Sequence, residues 1–312
     1  MEYIKWLDEV SQESSFITGK KAATLGEIKK IGLPTPDGFV ITIKAFEKIL
    51  EYNQLKEKIS ETIKNKPDQL SASEEIKSLI IKNDYSPSVK DEIIQSYNKL
   101  SVSKEIELPS VIPLISAGRE YAIVSIRGST VEDLDSKSFL NIKGVRDLLD
   151  SVKECWSSLY SKNNISQLIQ NNFKSGIAVL IQKMVSADKS GRMFSNGDET
   201  VTIESSWGLG TVLESIQPDS YVVDKYGKIL KKSISRKEVM HIRDIASDKT
   251  IEVSVPKEKV EIETLTEDEI LKILYYWSIL EKHLSILDRI TFAIERGKIR
   301  ILGLKKGLLN AI

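Results

Sequence analysis

Apolar residues recur at helical spacing from Ala22 to Lys30, after a loop, Thr18-Gly19-Lys20-Lys21. Gly32 ends that helix, and Pro34 and Pro36 prevent its continuation. Phe39-Val40-Ile41-Thr42 reads as a short strand. From Ile43 to about Leu100 the pattern is helical and highly charged, broken at Pro67 and Pro87. Tyr121 to Ile126 is a β-rich run that the turn-forming pair Gly128-Ser129 ends, and residues 144–170 read as amphipathic helix.

A second β-rich region opens at Ile177-Ala178-Val179-Leu180-Ile181. Further strands are expected at Arg192–Ser195, Val201–Glu204, Tyr221–Asp224 and from Ile229 onward. Thr266-Glu267-Asp268-Glu269 has the form of a capping box, in which the Thr hydroxyl takes an orphan N–H and Glu269 reaches back. Ile270, Leu274, Trp277, Leu280 and Leu284 then repeat at helical spacing. The chain closes with a hairpin, Ile290–Ile294 and Lys298–Leu302, turning at Arg296-Gly297. Helices and strands mix without regular βαβ alternation, so the expected class is α+β.

Composition narrows the function. The 312 residues suffice for one large domain or two lobes. Acidic and basic residues number 45 each, which leaves no electrostatic footprint for nucleic acid. No apolar run approaches the ~20 residues of a membrane span, and the N-terminus lacks a signal-peptide core, so the reading is a soluble cytoplasmic protein. The single cysteine, Cys155, lies on a helical face and reads as a buried structural thiol. His241 follows a strand-like segment and His283 lies on the last helix, with structural or surface roles expected for both.

Several segments, in order, resemble one family. Gly19-Lys20-Lys21-Ala22-Ala23-Thr24-Leu25-Gly26-Glu27 is similar to the opening Gly-Gly-Lys-x-Ala-x-Leu-Gly-Glu of phosphoenolpyruvate synthases and pyruvate phosphate dikinases. Gly32 to Phe39, Val124 to Ser129 with Glu132-Asp133-Leu134, Ile181 to Val185, Ser190 to Phe194, Glu204 to Gly210 and Pro218 to Lys225 resemble its later signatures. The resemblance implies an ATP-grasp fold with two lobes, here 1–186 and 187–312, and nucleotide between them. It also implies phosphoryl transfer to a histidine on a separate domain; neither His241 nor His283 matches that domain's motif.

The resemblance also assigns roles. Lys21 and Arg127 match phosphate-contacting positions, where positive charge is needed. Gln182 to Val185 match the strand whose main chain reads adenine, and Glu204 matches a cleft carboxylate. Other positions depart from the pattern. Ser138 to Gly144 fuses two segments and deletes the glycine-containing loop that closes over the phosphates. Arg289 and Thr291 stand where the family has Asp and a magnesium-binding Glu; Asp288 is one residue out of register. Gly303 replaces a ligating Gln, and Lys305 could mimic the neighbouring Arg only as a point charge. Thr211 follows Gly-Leu-Gly where the family usually has Glu.

Each loss removes a carboxylate, a metal ligand or the phosphate loop. The implied function is a non-catalytic or weak nucleotide- or anion-binding regulatory or interaction protein. ATP or another adenine nucleotide is the expected ligand, and magnesium is disfavoured. The alternative is the ATP-binding kinase subunit of a split phosphotransferase of the pyruvate, water dikinase type. The implied partner is a phosphoenolpyruvate synthase-like or phosphohistidine-domain protein, not nucleic acid or membrane. A third reading is a scaffold using the old lobes as a binding surface.

Overall fold

The computed structural model describes residues 2–66, 68–102, 121–132, 134–171, 175–197, 199–284 and 287–305. Pro67 and Asp133, both used above, lie outside them. The chain forms two compact units: Met1–Glu27 with Asp37–Met184, and Ile28–Pro36 with Val185–Ile312. No helix among the described residues is long and apolar enough to cross a membrane.

In the first unit, strands β1 (Ile4–Trp6), β2 (Gly38–Ile41), β3 (Val124–Thr130), β4 (Ser138–Ile142) and β5 (Ile177–Lys183) build an antiparallel sheet, ordered β1-β2-β5-β3-β4. Central β5 is buried from Ile177 to Gln182, which is why its sequence is a continuous apolar run rather than an alternation. Helices α1 (Ser15–Lys30), α2 (Ile43–Tyr52), α3 (Leu55–Asn65), α4 (Gln69–Lys82), α5 (Pro87–Ser101), α6 (Val145–Ser157) and α7 (Lys162–Gln170) complete the described elements that begin in this unit. Trp156 of α6 is fully buried, with its ring 5.6 Å from Phe46 and 5.5 Å from Tyr85. Its neighbour Cys155 is buried too, and burial pushes its thiol up to about 12, as suits a core residue.

The structure departs from the sequence reading at several places. Gly128-Ser129 does not end a strand; β3 runs through it to Thr130. A Cβ at Gly128 would crowd Ser136, so the glycine serves close approach between β3 and the chain leading to β4. Residues 144–170 are not one helix. A 3-10 turn, Ser158–Tyr160, separates α6 from α7. The Ser157 and Ser158 hydroxyls donate back to Glu154 and Cys155, and Asn164 donates to the Ser158 and Leu159 carbonyls. These side chains satisfy backbone groups that a continuous helix would have paired. Strands β1 and β4 were not expected.

In the second unit, Gly32 (φ 80°) closes α1, with Leu33 N–H donating to Ile28 O and Gly32 N–H to Lys29 O. This is the glycine stop that the sequence indicates. Strands β6 (Lys189–Ser195), β7 (Thr200–Trp207), β8 (Asp219–Asp224) and β9 (Ile229–Ser233) form an antiparallel sheet with the closing hairpin of β12 (Arg289–Glu295) and β13 (Lys298–Lys305), ordered β13-β12-β6-β7-β8-β9. Strands β10 (Val239–Arg243) and β11 (Thr250–Ser254) form a separate hairpin that places His241 within a strand. The closing strands are β12 and β13. Arg296 and Gly297 between them both have positive φ, as a two-residue hairpin turn requires.

Helix α8 (Glu267–His283) carries the expected capping box: Thr266 Oγ1 accepts from Glu269 N–H, and Glu269 accepts from Thr266 N–H. Ile270, Leu274, Trp277, Leu280 and Leu284 are buried. Thr266→Ala should cost about 1 kcal/mol of unfolding free energy; urea unfolding measures it, and an unchanged midpoint would show that the cap contributes nothing.

Candidate functional site

The site residues of the first unit gather on β3 and its neighbours. Gly19 breaks α1 with φ 72° and ψ 163°, and Ala22 N–H donates to Ser129 Oγ at 3.1 Å. This contact ties the second turn of the helix to β3. Lys21 is exposed, and its Nζ donates to Ser136 Oγ at 3.1 Å. Ser136 in turn donates to Gly128 O at 3.0 Å, beside Arg127. Arg127 is partly buried and donates through Nη2 to Oε1 of the buried Gln182. Burial pushes the Arg127 guanidinium down to about 10, so it remains charged at neutral pH. Its buried Nε has no hydrogen-bond partner among the described residues. A desolvated guanidinium with a donor to spare is a strong attractor for an anion.

Strand β5 ends at Lys183, so the segment expected to meet adenine, Gln182 to Val185, is only half strand. Lys183 N–H donates to Asp37 O and Met184 N–H to Ile123 O, both at 2.8 Å. Val185 is buried, and the chain passes from the first unit to the second between Met184 and Val185.

In the second unit, the period of two along each strand separates two faces. Met193, Ile203, Tyr221, Ile290 and Phe292 are buried on one. On the other, a single cross-strand row reads Gly303, Thr291, Arg192, Glu204 and Ser220, from β13 to β8. Three positions singled out in the sequence therefore fall in one row. Arg192 stands among them, and its Nε donates to Glu204 Oε2 at 2.5 Å. The Thr291 hydroxyl turns toward Gly303 O at 3.4 Å. Arg289 and Lys305, both exposed, oppose each other directly across β12 and β13. Asp288 is partly buried; its N–H donates to Lys305 O at 3.1 Å.

One row along the same face, Ser190 and Ser206 are cross-strand partners. Both are buried, and neither hydroxyl has a hydrogen-bond partner among the described residues. Thr211 donates to or accepts from His241 Nδ1 at 2.8 Å. The sequence places Arg192 in a family signature, Ser190 to Phe194, and at the start of a strand, but assigns it no role. A basic residue at a solvent-facing step of a strand, register-matched to Glu204, was the available signal.

Magnesium prefers hard anionic oxygens in octahedral array. Thr291 offers a neutral hydroxyl, Gly303 has no side chain, and the Glu204 carboxylate is already held by Arg192.

Two units of antiparallel sheet and helix, one with basic side chains tied to a central strand and one with an open face of mixed charge, define an α+β protein of the ATP-grasp class. Residues 16–306 match the family described as "Pyruvate phosphate dikinase, AMP/ATP-binding domain", and the chain belongs to that family. A probable phosphoenolpyruvate synthase of Methanocaldococcus jannaschii is 35% identical over 97% of this chain and 26% of its own length. The corresponding figures for a probable phosphoenolpyruvate synthase of Methanothermobacter thermautotrophicus are 32%, 97% and 45%. For the phosphoenolpyruvate synthase of Aeropyrum pernix they are 34%, 84% and 33%. The chain thus spans less than half the length of these relatives.

Proposed function

We propose that this chain binds an adenine nucleotide or a related phosphate-bearing anion without catalysing phosphoryl transfer by itself. It would act as a regulatory or interaction protein on a phosphoenolpyruvate synthase-like or phosphohistidine-domain partner. The observation that carries this reading is the row Thr291, Arg192, Glu204, in which a guanidinium lies where a metal would need free carboxylate. Anion attraction is supported by Lys21 and by the charged, partly buried Arg127. Phosphoryl transfer depends on alignment and on neutralising the transferred group. The seven-residue connection 131–137 between β3 and β4 leaves little chain to cover phosphates.

Thermal unfolding with ATP, ADP, AMP and phosphate, each with magnesium or with chelator, tests the proposal. A ligand at 100 times its dissociation constant should stabilise the fold by about 2.7 kcal/mol. The expected result is a shift with ATP that survives chelation, and no magnesium-dependent ATP hydrolysis. No shift with any of the four would overturn nucleotide and phosphate binding and leave the protein as a scaffold.

A second reading, favoured by the match to an AMP/ATP-binding domain family, is the ATP-using subunit of a split phosphotransferase. It requires a shift that depends on magnesium, and alanine at both Glu204 and Asp288 would then abolish transfer to a histidine-bearing partner.

A further inference from the structure

We propose that Arg192 is the built-in cation of the open face and sets its selectivity: it excludes divalent metal and directs the site to metal-free phosphates. This rests on the anion-binding reading above and adds the residue that decides which form of the anion is taken.

The geometry comes from strand register. Thr291, Arg192 and Glu204 occupy three successive strands, β12, β6 and β7, in one row on one face. Adjacent strands lie about 4.8 Å apart, so positions 291 and 204 flank Arg192 at roughly 9.5 Å from each other. Two acidic side chains at those outer positions would reach over residue 192 toward a shared metal. Here the middle position is filled by a guanidinium bonded to the one carboxylate of the three.

A guanidinium stays protonated at any physiological pH, unlike a lysine or histidine that could yield to a metal. The Arg192 and Glu204 side chains are 32% and 21% exposed, so the pair is open enough to meet a ligand and sheltered enough to resist screening. Nε makes the bond to Glu204, and among the described residues the Nη groups have no partner, so a phosphate oxygen can join the same guanidinium. Arg289 and Lys305, two residues along β12 and β13 from Thr291 and Gly303, add positive charge to the same face.

The test is a gain of metal binding. Wild type, Arg192→Gln and the double variant Arg192→Val/Thr291→Glu are titrated with ATP in chelator and in magnesium, and separately with manganese alone, read by electron paramagnetic resonance. Circular dichroism and melting without ligand establish that each variant is folded; Arg192→Gln keeps a hydrogen bond to Glu204 if the valine variant fails. Wild type should bind ATP at least as well in chelator as in magnesium. Arg192→Gln should move that ratio about tenfold toward magnesium, the worth of one charge-assisted hydrogen bond. The double variant should bind manganese where wild type does not. An unchanged ratio in folded Arg192→Gln, or manganese binding by wild type, would overturn the proposal. If wild type binds no nucleotide, the anion-binding reading fails. The manganese arm still decides whether Arg192 excludes metal.

Discussion

Asp219→Ala should cost the second unit about 3–5 kcal/mol of unfolding free energy, among the largest losses of any single substitution in it. Asp219 of β8 and Lys237 are both completely buried and joined at 2.6 Å. The carboxylate is fully engaged. Oδ1 also accepts from Ser235 N–H, and Oδ2 accepts from the N–H and hydroxyl of Thr264, at 2.8 and 3.0 Å. One side chain thus ties β8 to the segments that precede the β10–β11 hairpin and helix α8. Alanine removes the anionic partner of a buried ammonium and strands the Ser235 and Thr264 N–H donors, and each uncompensated group carries its full desolvation cost. The double variant Asp219→Leu/Lys237→Met removes both charges, and it should recover a large part of the loss. Chemical denaturation of the three proteins is the measurement. A loss below about 1 kcal/mol for Asp219→Ala would show that the pair is hydrated rather than dry.

Gly19→Ala should have the second large effect, and it should reach binding as well as stability. Gly19 holds φ 72° and ψ 163°, a region essentially confined to glycine, at a cost of about 1–3 kcal/mol for another residue. A Cβ there would also overlap the carbonyl and hydroxyl of Ser129 on β3. Relief requires α1 to move off β3, which breaks the Ala22–Ser129 hydrogen bond and displaces Lys21 from Ser136. About tenfold weaker ATP binding is expected alongside the lost stability, the equivalent of one charged contact. Gly32→Ala is the control: it also has positive φ, but nothing lies within 4 Å of an added Cβ. It should cost about 1–2 kcal/mol and leave affinity unchanged. Equal affinity losses in the two variants would remove the link between the Gly19 break and the anion site.

Much of this protein was legible before its structure. The Gly32 stop, the Thr266 capping box, the α8 apolar stripe and the Arg296-Gly297 turn are local. Each is specified by a few consecutive residues whose backbone requirements have few solutions. The family was legible for another reason: its signatures recur in order along the whole chain. The sequence also indicated α+β and named Lys21, Arg127, Gln182, Glu204, Thr291 and Gly303 as positions to watch.

What the sequence missed was set by partners distant in the chain. β1 and β4 are short strands on the edges of their sheet, and their pairing with β2 and β3 decides them more than their own composition does. Gly128-Ser129 looks like a turn until Ser136 packs against it; then the glycine is a strand residue chosen for contact. The helix expected over 144–170 breaks because Asn164 and two serines supply hydrogen bonds that its pattern of apolar residues does not record. Arg192 is the fullest case. Alone it is one more charged residue on a strand, and only the register of three strands sets it beside Glu204 and Thr291. The sequence determined the family and the local stops and caps, because those depend on neighbours in the chain. Tertiary structure decided which charges meet, because strand pairing joins residues far apart in the chain, as Gly38 with Gln182 and Arg289 with Phe194.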